Sequence, residues 1–294
     1  MSVGDRIPAM KLRRSVLTAL TLDMLAATAS GQRTSTPQVP QTFPGVTSVL
    51  WIGAHPDDEV LAAPLLGRLC VEERLRCSFL VLTRGENGVC RLPGGCRPDM
   101  AAVRSAEMAR AAQLFHASLT QWSYPDGGAA ADGSPGTWDA VAGSHEALVD
   151  ALTRAIRRSH ADLVLTFDQR HGSTCHRDHR AVGRLVLEAL PALSRRPAVY
   201  LLEGLMELGG SPLTLRFRPA ASAAAGVINF DGNTQLPATG RAAWDLMSRD
   251  VLIHASQFEA DVRRAVASVP PGQRAIAIGP ADLLQAAAGV AGCE

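Results

Sequence analysis

Short apolar runs and amphipathic stretches alternate along residues 46–202 of the chain. Residues 48–54 (SVLWIGA), 77–83 (CSFLVLT) and 161–167 (ADLVLTF) are continuous apolar runs, the pattern of strands buried on both faces. Residues 119–124 and 199–202 are shorter runs of the same kind. Between them, residues 60–74, 99–116, 144–159 and 180–190 carry apolar side chains at helical spacing, with Ser144 as a cap before the third. In the second, Arg104 and Glu107 are three apart and share a face. The alternation predicts an α/β fold with a mostly parallel sheet and helices on both faces. After Gly204 the pattern weakens. Residues 213–217 and 226–230 read as strands of a β excursion, 240–258 as a helix, 275–278 as a strand and 280–290 as a last helix. Residues 84–97 and 125–143 are Gly-rich and read as loops. No internal repeat is present.

Composition narrows the partners. The chain has 294 residues, 47% hydrophobic, which suits one large globular α/β domain over residues 46–294. A net charge of +1 argues against nucleic acid or an acidic membrane as partner, and 4% aromatic content leaves little for a stacking groove. Nearly all the positive charge is Arg, Lys11 being the only lysine, which reflects a GC-rich genome and not a function.

The first 45 residues read differently from the rest. Lys11, Arg13 and Arg14 precede a small, apolar stretch over 15–29 that ends Ala27-Thr28-Ala29, the layout of a signal peptide, although Asp23 interrupts the apolar part. Residues 32–43 follow as a Thr/Pro/Gln linker. The expectation is export to a bacterial periplasm or the medium, with the cytoplasm as the alternative, and no later stretch is long and apolar enough to span a bilayer. The six cysteines form no CxxC pair, which argues against a thiolate zinc site; Cys90 and Cys96, flanking a Pro-Gly-Gly turn, are the best candidates for a disulfide.

Two strand ends concentrate metal-type side chains. The first strand runs into His55, Pro56, Asp57, Asp58 and Glu59, and the 161–167 strand into DQRHGSTCHRDH, with His171, His176, Asp178 and His179. Open α/β sheets place ligands at the carboxyl edge, so if these strands are neighbours the two clusters meet. Two His and one carboxylate form a catalytic zinc ligand set, and such an ion activates water at neutral pH. A spare carboxylate then takes the proton, and a spare His donates one or steadies an oxyanion. His171 reads as an ordinary loop histidine, and Cys175 as a poor nucleophile candidate.

AHPDDE at residues 54–59 and HRDH at 176–179 resemble the PIG-L/LmbE-like N-acetylglucosaminyl deacetylases; TRGENG at 83–88, Arg104 with Glu107, and HASQ at 254–257 are similar to further features of that family. The resemblance covers roughly residues 46–257. It implies a Rossmann-like fold and hydrolysis of the N-acetyl group from an N-acetylglucosamine-type substrate, a small molecule or a glycoconjugate. It implies Zn2+, or another divalent ion such as Fe2+, on His55, Asp58 and His179. It implies Asp57 as general base, His176 as the group that stabilises the oxyanion or protonates the amine, Asp178 as the acid beside it that tunes the site, and Arg104 as a contact to substrate hydroxyls. Glu59 is expected to hold neighbouring backbone or ligands. Arg177 departs from the family, which commonly has Pro there.

A catalytically silent carbohydrate-binding protein is the alternative, and intact Asp57 and His176 argue against it. A dinucleotide enzyme is disfavoured because the first strand leads into GAHPDDE and not GxGxxG, and a serine hydrolase because no GxSxG elbow is present.

Overall fold

The structure, a computed structural model, describes residues 41–203, 205–210, 213–218, 226–282 and 293. The expected signal peptide and most of the linker lie outside the described residues, as does the expected last helix beyond residue 282.

The core is a seven-stranded sheet in the order β3-β2-β1-β4-β5-β11-β8. β1 (Ser48–Gly53), β2 (Arg76–Thr83), β3 (Ser118–Tyr124), β4 (Leu163–Phe167) and β5 (Ala198–Glu203) run parallel. β11 (Ala275–Pro280) inserts antiparallel between β5 and β8 (Ile228–Asp231). The fold is thus the expected α/β arrangement, mostly parallel with an antiparallel end. Chain order places β1 and β4 side by side, with Val49 opposite Leu163 and Trp51 opposite Leu165. That is the point where the order reverses, and there open α/β sheets leave a crevice.

Strand alternation splits the core in two. Val49 and Trp51 of β1 face one apolar cluster, and Leu50 and Ile52 the other. The first is covered by the segment after β1 and by α2 (Met100–Leu114), α6 (Ala243–Ile253) and α7 (Ala260–Ala267); the second by α4 (His145–Ser159) and α5 (Arg177–Ala189). Each fully buried Leu, Ile or Phe contributes about 1.5–3 kcal/mol relative to exposure. Both faces must be apolar at once, which is why β1, β2 and β4 read as continuous runs.

Several local expectations are refined. The helix expected at 60–74 begins at Asp58 and changes winding: a 3-10 turn Asp58–Ala62, one α turn α1 (Ala63–Leu66), then a wider π-type stretch Gly67–Glu72. A disulfide Cys70–Cys77 joins its end to β2. The loop at 125–143 contains a short helix, α3 (Thr137–Ala142), seated by buried Trp138, whose Nε1–H donates to Pro125 O. The β excursion is a hairpin of β6 (Leu205–Gly209) and β7 (Thr214–Arg218), and β9 (Gln235–Leu236) pairs with β10 (Arg241–Ala242) before α6. Arg104 and Glu107 are both buried but serve different partners: Glu107 accepts from Ser256 N and Oγ, tying α2 to the end of α6. No helix among the described residues is long and apolar enough to cross a membrane.

The seat of α5 decides where its first turn lies. Gly183 allows it to press on the end of β4: a Cβ at that position would lie 2.4 Å from Phe167 O and 3.0 Å from Gln169 N, both rigid backbone atoms. Gly183→Ala must therefore lift the helix or break the contact. Its unfolding free energy should fall by about 1–3 kcal/mol in urea titrations.

Candidate metal and catalytic site

Asp58, in the first helical turn after β1, is 4% exposed. Its Oδ2 accepts from Ala54 N (2.6 Å) and His55 N (2.8 Å), so that the turn closes on its own carboxylate. Its Oδ1 is left facing His179 Nε2 at 2.9 Å and His55 Nδ1 at 3.5 Å, and these two nitrogens lie 3.3 Å apart. Three donor atoms from two neighbouring strand ends thus form a small triangle.

Each donor is aimed by what its other atom does. His179 sits in the first turn of α5, where Nδ1–H donates to Gly172 O (2.8 Å) and the ring stacks on Phe167 at 4.1 Å. Its Nε2 lone pair is therefore the free one. His55 Nε2 lies 3.0 Å from Asp178 Oδ2 and 3.1 Å from Asp126 Oδ1, which places the proton on Nε2 and the lone pair on Nδ1. A carboxylate behind a ring nitrogen is the usual support of a metal-binding imidazole.

The triangle suits a divalent cation. Donors on a tetrahedral zinc lie about 3.3 Å apart, given Zn–N bonds of about 2.0–2.1 Å. The electrostatics agree. Burial disfavours charge on His55, yet Asp58, Asp126 and Asp178 together raise its pKa well above 6.5. Burial likewise opposes charge on Asp58, and His179 and His55 outweigh it, taking the carboxyl well below its usual range. The same carboxylates favour any cation at this place, with a proton and a metal in competition for the imidazole.

Asp57 and Asp58 diverge, as adjacent residues must. Asp57 has φ 98°, in the left-handed region, and its carboxylate lies close enough to Arg104, His254, Asp58 and His55 to feel their charges. Arg104 holds it there, with Nη2 donating to Asp57 Oδ1 (2.8 Å) and to Pro56 O (2.5 Å), and Nη1 to Gly85 O (3.1 Å). Gly85, at φ 67°, is needed for that approach: a Cβ would meet the guanidinium at 2.3 Å. Arg104 also lines the pocket, but its terminal nitrogens already serve Asp57 and the 83–88 loop, beyond the substrate contact expected of it. Burial raises the Asp57 pKa, and Arg104 opposes the rise.

His176 caps α5, its Nδ1 accepting from Asp178 N (3.2 Å). The remaining proton lies on Nε2. Desolvation, then the imidazoles of His55 and His179, lower its pKa to about 4, so the ring is a neutral donor at pH 7. Asp178 lies behind His55 rather than in the pocket. Its side chain is fully buried and spent on His55 Nε2, Gly127 N (2.7 Å) and Ala129 N (3.0 Å). It acts on the site through His55 and the 127–129 backbone, not by reaching a substrate. Asp126 went unread in the sequence. It follows β3 as the acids follow β1, and that strand-end position was the available signal. The pocket is about 410 Å³ and is lined by Asn87, Arg104, Asp126, His176, Arg177 and Gln257, among others. His171 is a buried structural group, 2.6 Å from Asp168. Cys175 is in a disulfide with Cys293, so it is no nucleophile in this state.

The chain matches the family described as GlcNAc-PI de-N-acetylase, PIG-L, over residues 50–190, the span that holds His55, Asp57, Asp58, Arg104, Asp126, His176, Asp178 and His179. The match takes in just under half of the chain. It is also 30% identical over 158 residues to 1D-myo-inositol 2-acetamido-2-deoxy-alpha-D-glucopyranoside deacetylase 3 of Catenulispora acidiphila, an alignment that covers 48% of this chain. The chain spans 44% of that relative's length. Among solved structures, N,N'-diacetylchitobiose deacetylase from Pyrococcus horikoshii is similar with a TM-score of 0.56 and 16% identity, over 83% of this chain and 87% of that one. A 4-carboxy-2-hydroxymuconate hydratase from Pseudomonas putida is similar with a TM-score of 0.53 and 16% identity, over 80% and 96%. At such identities the likeness is one of fold, and the fold alone does not choose the reaction.

Behind the PIG-L motif lies a second buried group. Glu59, fully buried, meets His254 Nε2 at 2.5 Å, and Asp250 lies beside them. Glu59 thus ties its turn to the end of α6 through the His254 side chain, a different partner from the neighbouring backbone or ligands expected of it. Burial works to lower the His254 pKa, but Glu59 and then Asp250 raise it to about 9. The folded value exceeds the unfolded 6.5, so this charge stabilises the fold fully below pH 6.5 and ceases to do so as pH rises through about 9. The difference corresponds to something on the order of 3 kcal/mol. Urea unfolding of the wild type should weaken between pH 6.5 and 9, and His254→Gln should flatten that decline.

Proposed function

We propose that the protein is a metal-dependent N-deacetylase acting on a 2-acetamido-2-deoxy sugar or its conjugate. The observation that carries this reading is the pairing of a three-donor cation site with a separate carboxylate, Asp57, held beside it and raised in pKa. A pure binding protein has no use for that base. The PIG-L match and the acetamido-sugar deacetylase names of its relatives support the same reaction class.

His55 Nδ1, Asp58 Oδ1 and His179 Nε2 would hold the ion, Zn2+ or another divalent metal such as Fe2+. When bound, it would polarise the amide carbonyl and the attacking water. Asp57 takes the proton from that water; Arg104 fixes the carboxylate's direction and burial raises its basicity toward the working pH. His176 offers Nε2–H to the carbonyl oxygen as charge develops there, a role that suits a ring kept neutral. The proton that Asp57 has gained passes to the departing amine, releasing acetate and the free amino sugar. Asp126, beside His55 and 4.0 Å from Arg104, stands at the pocket wall where sugar hydroxyls would lie. We also propose export, in line with the basic and apolar N-terminal pattern; all six cysteines are paired, as Cys70–Cys77, Cys90–Cys96 and Cys175–Cys293.

The test is acetate release from N-acetylated mono- and disaccharides by protein loaded with one equivalent of zinc. Wild type should turn over and lose activity to chelator. Asp57→Ala should lose about 10²–10⁴-fold in turnover while keeping its metal. Full turnover by Asp57→Ala would remove Asp57 as the base, and glycan binding without acetate release would establish the silent binder instead.

A further inference from the structure

The sheet is not covered equally on both sides. On the face shared with α4 and α5, the outer strand β3 presents Ser118, Thr120 and Trp122, where a covered strand would carry aliphatic side chains. Two adjoining hollows, of about 640 and 590 Å³, run between this strand and α4 and share Arg158. Seven residues of β3 make the trough about 20 Å long. Its upper end is Tyr124, two residues from Asp126 in the catalytic pocket.

The charge in this trough is one-sided. Its walls include Arg76, Arg154, Arg158, His116 and His160, and no Asp or Glu lines either hollow. In a chain of net charge +1 this is a local concentration of positive charge. Arg154 and Arg158 are four apart on α4, an arrangement that repels. Both are exposed and neither has an ion pair or hydrogen bond among the described residues. On the floor, the Trp122 indole is half-buried, edge-on to Tyr124 at 5.7 Å, between hydroxyl and amide side chains.

We propose that the trough between β3 and α4 binds an acidic oligosaccharide, Trp122 stacking on a sugar ring and Arg154 and Arg158 pairing with its carboxylate or sulfate groups. An indole face with a polar floor suits a hydroxylated ring. Guanidinium groups suit planar or tetrahedral anions. A single-stranded nucleic acid would call for a succession of stacking aromatics, and the trough offers one indole and its Tyr neighbour. The binding does not rest on the deacetylase reading, and its test uses no catalysis.

Tryptophan fluorescence reads this site selectively. Of the four tryptophans, Trp51, Trp138 and Trp244 are at most 1% exposed, so a ligand in solution reaches Trp122 alone. The full chain is titrated with hexagalacturonate, a heparin hexasaccharide, neutral chitohexaose and an oligo-dT of similar length. At least one acidic hexasaccharide should change the emission and bind at least tenfold more tightly than chitohexaose, weakening as salt rises. The Arg154→Glu, Arg158→Glu double variant should bind at least tenfold more weakly with unchanged circular dichroism. Trp122→Ala should abolish the emission change, with residual binding followed by calorimetry. The proposal is overturned by no binding of either acidic hexasaccharide, by equal affinity for chitohexaose, by undiminished affinity in the double arginine variant, or by tighter binding of oligo-dT.

Discussion

The carboxylate of Asp58 is the contact on which the rest of the site depends. One oxygen closes the turn after β1 on Ala54 and His55; the other faces two imidazoles, one from each strand end. Burying it at 4% exposure is costly unless every lone pair is used. The partners can converge only if β1 and β4 are adjacent and α5 sits close on β4. The central register, the close contact at Gly183 and the stacking of His179 on Phe167 are therefore conditions for one ionised group. A cation on the triangle would complete the neutralisation that the two imidazoles begin.

The residue before it carries the opposite burden. Asp57 occupies left-handed backbone at φ 98°, a conformation that costs of order 1–3 kcal/mol for a side-chain-bearing residue. The cost is met by constraints on both sides. Arg104 grips Pro56 O and the Asp57 carboxylate, Asp58 is anchored to β1, and Glu59 is held by His254 from α6. Four consecutive residues are thus tied to three different parts of the fold, and this places two adjacent acids in different directions. Strain of this kind at a proposed base is the expected form of preorganisation.

How much of this was legible follows from the range of each interaction. β1, β2 and β4 are buried on both faces, so each announces itself as an apolar run. The β1 and β4 strand-end clusters stand beside those runs, but the adjacency of β1 and β4 is a matter of sheet order, which no local pattern encodes. Asp126 was missed because β3 is an edge strand with a mixed pattern, which made the Pro-Asp-Gly-Gly after it look like a plain turn. The partner of Asp178 was not legible, because the ring it supports lies 123 residues away. The antiparallel insertion of β11 and the Cys175–Cys293 pair depend on where the chain returns after residue 270, and nothing local encodes that. The changed winding after Asp58 also escapes periodicity, since a 3-10 turn and a π-type stretch average to an ordinary helical spacing.

The disulfides bear on the site through the loop that feeds α5. Ser173 and Cys175 both have positive φ, and the chain between β4 and His176 is otherwise held by Asp168, His171 and a few backbone bonds. The Cys175–Cys293 bridge spans 118 residues and joins this loop to the far end of the sequence. A cross-link closing a loop of that length removes denatured-state entropy worth about 4–5 kcal/mol in the chain-entropy view. That stabilisation is delivered one residue before the imidazole proposed to meet the oxyanion. With Cys90–Cys96 bracing the 84–97 loop on the opposite wall, cross-links tie segments on both sides of the pocket. Under the proposed export, away from the reducing cell interior, such ties would serve where other proteins need a larger packed core around their loops.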